Sequence, residues 1–483
     1  MVQKRDFKRV DPYVWELSES AQEGMRVPVR LLADGELFDA AFGDRTVEQL
    51  VNTAMLPGVV RCAMAMPDFH QGYGFPIGGV AAMDVERGVI SPGGVGYDIN
   101  CGVRLMGTHL HRDAVSAYIE KLMSTLYHTC PSGVGGDGRV RVSERELREL
   151  VTDGAEWALK NGHARRDDLV HTEEGGRLSG ADPSQVSDRA LERGRSQVGS
   201  LGGGNHFIEV DEVTEIYAPE VADAFGLWQG QAVVQIHCGS RGFGHQVCDD
   251  YVRRLQSASD RYSIRLPSRQ LVCAPISSPE GKAYYAAMAC AVNYAFVNRQ
   301  VLAMGVREAF ERTLAGEVDN FDLYQIYDVA HNIAKFEEHQ VDGRPQKLCV
   351  HRKGATRAFG PGLEAVPADY REIGQPVLVP GSMGTASYVL VGTEKAMDLT
   401  FGSTCHGAGR TMSRTQARKE VWGADLREEL ERGGIVVRAG SNKGLAEEAP
   451  LAYKDVSRVV EVVNGLGISR KVARLEPLGV IKG

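Results

Sequence analysis

Asp98 and Cys101 stand three residues apart in SPGGVGYDINCGVRL, residues 91 to 105. A core cysteine is usually a small apolar filler, but this stretch has almost no bulk. Glycine serves tight turns and lets other groups approach the backbone closely. A carboxylate and a thiolate at this spacing suit a metal ion. Four of the 13 histidines occupy similar ground. His206 follows Gly202, Gly203 and Gly204. His237 ends the apolar run VVQIH, His331 lies in YDVAHNIAKFEE, and His406 stands between Cys405 and Gly407. Neutral imidazole is the commonest metal ligand. Taken singly, each of these reads as a structural histidine; together with Asp98 and Cys101 they suggest a metal centre. No CxxC or HExxH spacing anchors the set. His109, His111, His128, His163, His171 and His351 have unremarkable or polar neighbours.

The flanking residues add to this. In a strand over NHFIEV, Asn205, Phe207 and Glu209 share one face, and His206 and Ile208 the other. If His206 meets a metal, Asn205 and Glu209 are free to grip a neighbouring ligand. The bland reading of Glu209 is a solvated strand residue. PGSMGTAS (380 to 387) and HGAGRTMSR (406 to 414) offer backbone N–H groups and hydroxyls to a phosphate, the second opening a helix whose N-terminus favours an anion. Neither is a GxxxxGK[ST] loop, and each also reads as an ordinary turn. No KxDG occurs. A covalent nucleotide would need another nucleophile, and a glycine-flanked histidine can present its ring to phosphorus.

The elements that must carry these residues are mixed. Ser143 and Glu146 match a capping box, predicting a helix over 143–162 that stops at Gly162. Residues 163 to 200 read as a polar surface excursion. The longest helical pattern, 283 to 314, is apolar almost all round in its first half, which predicts burial. Helices are also expected over 323–338 and 415–432, and strands at 233–237, 374–379, 387–391 and 434–438. No βαβ repeat emerges, so the predicted class is α+β, in one domain over 1–483.

Composition narrows the function. The chain of 483 residues has a net charge of −8, which argues against general avidity for nucleic acid. The charged start MVQKRDFKRVDPYVWEL has no run of signal-peptide length. Nine scattered cysteines then read as reduced thiols in the cytoplasm.

MPDFHQGYGFPIGGVAAMD (66 to 84), GGVGYDINCGVR, GGGNHFIE, IHCGSRGFGH, DVAHN, PGSMG and HGAGR together resemble the RtcB family of RNA ligases, from about residue 20 to Lys482. The resemblance implies a single large α+β domain with mixed sheets around a dinuclear metal and nucleotide pocket. It implies joining of RNA 3′-phosphate or 2′,3′-cyclic phosphate ends to 5′-hydroxyl ends with GTP and two manganese ions. Asp98, Cys101 and His206 match the ligands of one ion, and Cys101, His237 and His331 those of the other, the cysteine bridging. His406 matches the histidine that becomes guanylylated, and Asp68 the carboxylate that orients it. Asn205, His206, Phe207, Ile208, Glu209, His331, Asn332, Pro380, Gly381, Ser382, Met383, Ser387, His406, Gly407, Ala408, Gly409 and Lys482 match the guanylate site. RNA, GTP and an archease activator are the implied partners. Ligand softness alone favours zinc; manganese comes from the resemblance. The competing readings are a dinuclear phosphoesterase without ligase activity and a structural metal protein. Arg241, Arg352, Lys353, Arg410 and Arg414 are candidates for the RNA path.

Overall fold

The computed structural model describes residues 2–133 and 135–483. Two large sheets organise it. The first has seven strands in the order Lys8–Asp11, Val14–Leu17, Val29–Leu32, Val59–His70, Ile77–Asp84, Arg344–Lys353 and Asn332–Val341. The second runs Leu323–Ala330, Gly102–His111, Gln231–Cys238, Phe207–Ile216, Ser469–Lys482, Ser387–Gly392 and Pro376–Val379, with Val436–Ala439 added in parallel to Ser469–Lys482. Parallel and antiparallel pairs coexist, and helices surround the sheets, so the α+β class with mixed sheets holds.

The helix Pro279–Leu314, 36 residues long, is the buried spine. Ser278 caps it by accepting the Gly281 N–H at 3.0 Å, and Pro279 sits in the first turn, where a missing N–H costs nothing. Alanines and other apolar residues from Ala287 to Val297 are buried on every side. Asn293, Asn298, Arg299 and Gln300 are equally buried, which an apolar-spine reading does not anticipate.

The capping box at Ser143 and Glu146 forms as expected, but the helix breaks into Glu144–Asp153 and Ala155–Lys160. At the break, Gly154 has φ +59, and a Cβ there would meet the Gly176 carbonyl at 2.4 Å. The 415–432 helix is likewise two, Arg414–Glu420 and Gly423–Arg432. The 163–200 segment is more than surface: Asp168 and Glu173 are buried by their ion pairs with Arg307 and Lys335.

The largest correction concerns 323–338. It is not a helix but two strands, Leu323–Ala330 and Asn332–Val341, which lie in different sheets. Tyr324, Ile326, Tyr327 and Val329 suit a pleated surface. What admits them is the neighbouring strand: a Cβ on Gly107 would strike the Tyr324 ring at 2.5 Å, and one on Gly102 the Val329 carbonyl at 2.3 Å. The chain changes sheets at His331, which puts that residue at the seam between them.

Candidate metal centre and nucleotide cleft

Strand ends gather the metal-ligating side chains. In the second sheet Gly102 pairs with Cys238 and with Ala330, and Phe207 pairs with His237. Cys101, His206, His237 and His331 therefore meet at one end of four neighbouring strands. Asp98 joins them through a tight turn in which the Cys101 N–H donates to the Asp98 carbonyl at 3.0 Å. Asn100 takes φ +53 to close that turn. Two groups result, Asp98–Cys101–His206 and Cys101–His237–His331, with ligand atoms within 4.8 Å of one another in each. The Cys101 sulfur lies 3.4 Å from His206 Nε2 and 3.3 Å from His237 Nε2, and the Nε2 atoms of His237 and His331 are 3.3 Å apart.

The donor chemistry fits metal ions. His206 Nδ1 donates to the Leu201 carbonyl at 2.9 Å, which turns Nε2 toward the Asp98 carboxylate at 2.8 Å. Burial opposes a charged imidazole, but Cys238, Cys101 and Asp98 raise the His206 pKa well above the usual value, so the pair favours a cation between them: a proton, or a metal ion that displaces it. Burial drives the pKa of both His237 and His331 well below the usual imidazole value, and neighbouring cationic groups add to it, so both lone pairs stay available. Burial pushes the Cys101 thiol up to about 12. A thiol in that position ionises at neutral pH only beside a strong positive charge, and a coordinated metal supplies one. Burial opposes ionisation of Asp98 as well, but His206, His245 and Arg241 hold it well below the usual carboxylate range.

The spine helix fixes these loops from behind. Arg299 Nη1 donates to the Asn100 carbonyl at 2.7 Å and to the Cys238 carbonyl at 2.8 Å, and Nη2 donates to Asp328 Oδ1 at 2.8 Å. One guanidinium thus ties the residue before Cys101, the residue after His237 and the strand leading to His331. Its neighbour Asn298 donates to Ser200 and Gly239 and accepts from Gly199 and Ser200, steadying the loop whose Leu201 carbonyl orients His206. Arg104 shares Asp328 from the other side at 2.8 Å.

A cleft of about 750 Å³ opens over this centre, lined by Asp98, Cys101, His237 and His331 on one side and by the 380–383 and 406–414 loops on the other. The His406 ring lies 4.8 Å, centroid to centroid, from that of His331. Its Nδ1 is 2.5 Å from Oδ2 of the fully buried Asp68. The ring is turned off the ideal line, so Nδ1 and Asp68 Oδ1 both lack an aligned hydrogen-bond partner. Asp68 Oδ2 also accepts the His406 and Gly407 N–H groups at 2.8 and 3.2 Å. Gly409 permits this docking: its φ is +75, and a Cβ would strike the Asp68 carbonyl at 2.0 Å. Lys454 laces the same parts together, donating from Nζ to the carbonyls on both sides of Asp68 and from its backbone to Gly409.

This geometry frames the comparisons with known proteins. The family model for tRNA-splicing ligase RtcB matches residues 49–483. The chain belongs to the RtcB family. Its relatives include the tRNA-splicing ligase RtcB of Archaeoglobus fulgidus, 56% identical over 99% of this chain and 98% of that protein. That of Thermococcus kodakarensis is 54% identical over the same shares. The RNA-splicing ligase RtcB of Mycobacterium tuberculosis is 50% identical over 90% of this chain and all of that protein.

Among the residues matched to RtcB ligases, Asn205, Phe207, His331, Asn332, Pro380, Gly381, Ser382, Met383, His406, Gly407, Ala408, Gly409 and Lys482 line the cleft. Glu209 lies on the same strand face as Phe207, one step deeper beneath Lys482, whose register partner is Phe207. Ile208 points into the apolar core, and the strand begins at Phe207, leaving His206 in the preceding turn. Ser387 accepts the Gly381 N–H at 3.0 Å, and Thr385 the Ser382 N–H at 2.8 Å. Those N–H groups, like the two held by Asp68, are spent within the protein.

Sequence reasoning missed Glu448 and Tyr453. Glu448 is buried in the cleft wall, where it accepts from Arg410 at 3.2 Å, from Arg414 at 2.9 Å and from Tyr453. Burial would raise its pKa, but Lys482, Arg414 and Arg410 hold it below the usual range. No local motif marks it, since EEAP reads as a surface turn. Of the RNA-path candidates, Arg352 is excluded: it is fully buried in a two-pronged pair with Glu337. Arg241 is buried against His206, whereas Lys353, Arg410 and Arg414 line the cleft. All nine cysteines are buried and free of disulfides, and among the described residues no helix is long and apolar enough to cross a membrane.

Proposed function

We propose that this chain is a GTP- and manganese-dependent RNA ligase that joins 3′-phosphate or 2′,3′-cyclic phosphate ends to 5′-hydroxyl ends in the cytoplasm. The observation that carries the reading is His406, held in the cleft between buried Asp68 and the ligand group at His331. Asp68 accepts the Nδ1–H, which fixes the tautomer that leaves the nucleophilic lone pair on Nε2. Nε2 attacks the α-phosphorus of GTP, forming a P–N bond as pyrophosphate leaves. The guanylyl group then passes to the RNA 3′-phosphate, giving an RNA-(3′)pp(5′)G end. The 5′-hydroxyl attacks that end and GMP departs. Asp98, Cys101 and His206 would hold one ion and Cys101, His237 and His331 the other. Bound there, the ions neutralise phosphoryl charge and lower the pKa of water. Lys482, Arg410 and Arg414 add fixed positive charge on the opposite wall, with Glu448 setting their positions. Glu209, beneath Lys482, is the acceptor for guanine N1–H and the N2 amino group.

Incubation with α-labelled GTP and manganese tests this. A covalent label that moves to RNA, and disappears in His406→Ala, supports the ligase. RNA phosphate turnover without label points to a dinuclear phosphoesterase, and neither outcome points to a structural metal protein.

A further inference from the structure

Beyond the metal and nucleotide positions, the cleft carries an aromatic wall that the mechanism above does not use. Tyr73 and Tyr97 both line the cleft, with ring centroids 5.5 Å apart in an edge-to-face arrangement. The exposed His245 continues the row at 6.1 Å from Tyr97. Both tyrosines are half-buried, packed against the core and lining the cleft. Their loops are built to be adjacent. Gly74, at φ +76, packs so closely on Gly93 that a Cβ would meet its Cα at 2.8 Å, and the Phe75 N–H donates to the Gly93 carbonyl at 3.1 Å. Gly96, at φ +100, turns the chain just before Tyr97. Among the described residues, no protein group hydrogen-bonds either phenol oxygen.

Basic side chains flank the row. Lys353 lies 6.0 Å from the Tyr73 centroid and donates to the Gly93 carbonyl at 3.1 Å, although burial lowers its pKa to about 7. Arg241 and Arg193 stand near His245, and Arg253 near Tyr97. Of the acids beside the row, Asp249 is paired to Arg253 at 2.5 Å and Asp98 faces His206 at 2.8 Å. Tyr97 immediately precedes Asp98, so the row passes beside the candidate metal centre. Partly exposed aromatic rings beside cations are what unpaired bases stack on, without regard to sequence.

We propose that Tyr73 and Tyr97, extended by His245, form a stacking subsite for the unpaired terminal nucleotides of an RNA end, holding that end against the metal centre. This rests on the RNA-ligase reading and adds the residues that grip RNA in a sequence-independent way.

The test uses the full-length metal-loaded protein and short single-stranded RNAs with 2-aminopurine at the terminal position. One RNA carries a 3′-phosphate and the other a 5′-hydroxyl, so the two arms show which end the subsite takes. Stacking predicts quenched fluorescence in the wild type, and affinity for one of the two RNAs about tenfold weaker in Tyr97→Leu and in Tyr73→Leu. Tyr97→Phe, which keeps the ring and loses only the hydroxyl, restores it. GTP affinity is measured in parallel. A loss confined to RNA, with rescue by Phe, supports the subsite. Unchanged affinity for both RNAs, equal losses for RNA and GTP, or failure of Tyr97→Phe to rescue would overturn it. Absence of a covalent guanylate in the wild type would overturn the ligase reading and leave this affinity contrast to be read on its own.

Discussion

The metal end and the nucleotide end of the cleft are built in opposite ways. Around Cys101 the ligands sit on strand ends, and their loops are locked by buried charge: Arg299 and Arg104 share Asp328, and all three side chains are fully buried. Around His406 the chemistry sits on glycine-rich loops held by backbone contacts to Asp68 and Lys454. The first arrangement is fixed before any ligand arrives. The second leaves His406 Nδ1 and Asp68 Oδ1 without aligned partners. Ion sites tolerate little error in ligand position, and under the proposed mechanism His406 must reach a phosphorus centre and then release it.

The largest expected effect lies at the metal end. Cys101→Ala should empty both ion sites and abolish guanylylation, while Asp98→Ala weakens mainly one site and His331→Ala mainly the other. Cys101→Ser should rescue little, because a hydroxyl ionises far less readily than a thiol. Elemental analysis of purified variants decides it, and two ions in an active Cys101→Ser protein would remove the bridging role.

His406→Ala should abolish guanylylation and sealing yet keep both ions, separating the two ends cleanly. Metal loss in this variant would show that the ends are not independently built.

Arg299→Leu should cost about 3–5 kcal/mol of stability, the usual result of breaking a buried pair. Arg299→Lys keeps the charge but not the fork that reaches Asn100, Cys238 and Asp328 together. It should fold and bind metal more weakly at both sites, as read by calorimetric titration. Wild-type metal affinity in Arg299→Lys would mean the loops hold themselves.

Glu209→Ala should weaken GTP far more than ATP, because adenine lacks the paired donors that the carboxylate accepts. Equal losses for the two nucleotides in competition binding would remove Glu209 from base recognition.

The smallest effect is a pH slope. Burial lowers Lys353 from 10.5 to about 7. Between those values the unfolded chain holds a proton that the folded protein lacks, so this group makes stability rise with pH from about 7 to 10.5. In metal-free protein, Lys353→Met should flatten that rise by up to ~1.4 kcal/mol per pH unit, measured by urea unfolding at pH 7 and pH 9. An identical slope in both proteins would show that Lys353 stays protonated in the fold.

How far the sequence was legible differs by residue. The capping box at Ser143, the buried helix to Leu314 and the strand ending at His237 could all be read from local pattern, whereas the grouping of Asp98 and Cys101 with the histidines was legible through the family resemblance, since no local spacing anchors it. Local pattern governs the first three: capping and periodicity act within a few residues. The strands on either side of His331 could not: the helical spacing in YDVAHNIAKFEE competes, before His331, with a pairing partner more than 200 residues away and, after it, with the hairpin partner Arg344–Lys353. Gly102 and Gly107 decide that contest by making room for Val329 and Tyr324. Glu448 and Arg299 were equally invisible. A charged residue in a short turn or an apolar helix has no local mark of burial; only its partners, Arg410 and Arg414 for one and Asp328 for the other, make burial affordable. The sequence by itself determined which side chains are equipped for the chemistry. The tertiary structure alone decided which of them meet, because strand register and buried ion pairs link segments that local pattern treats as independent.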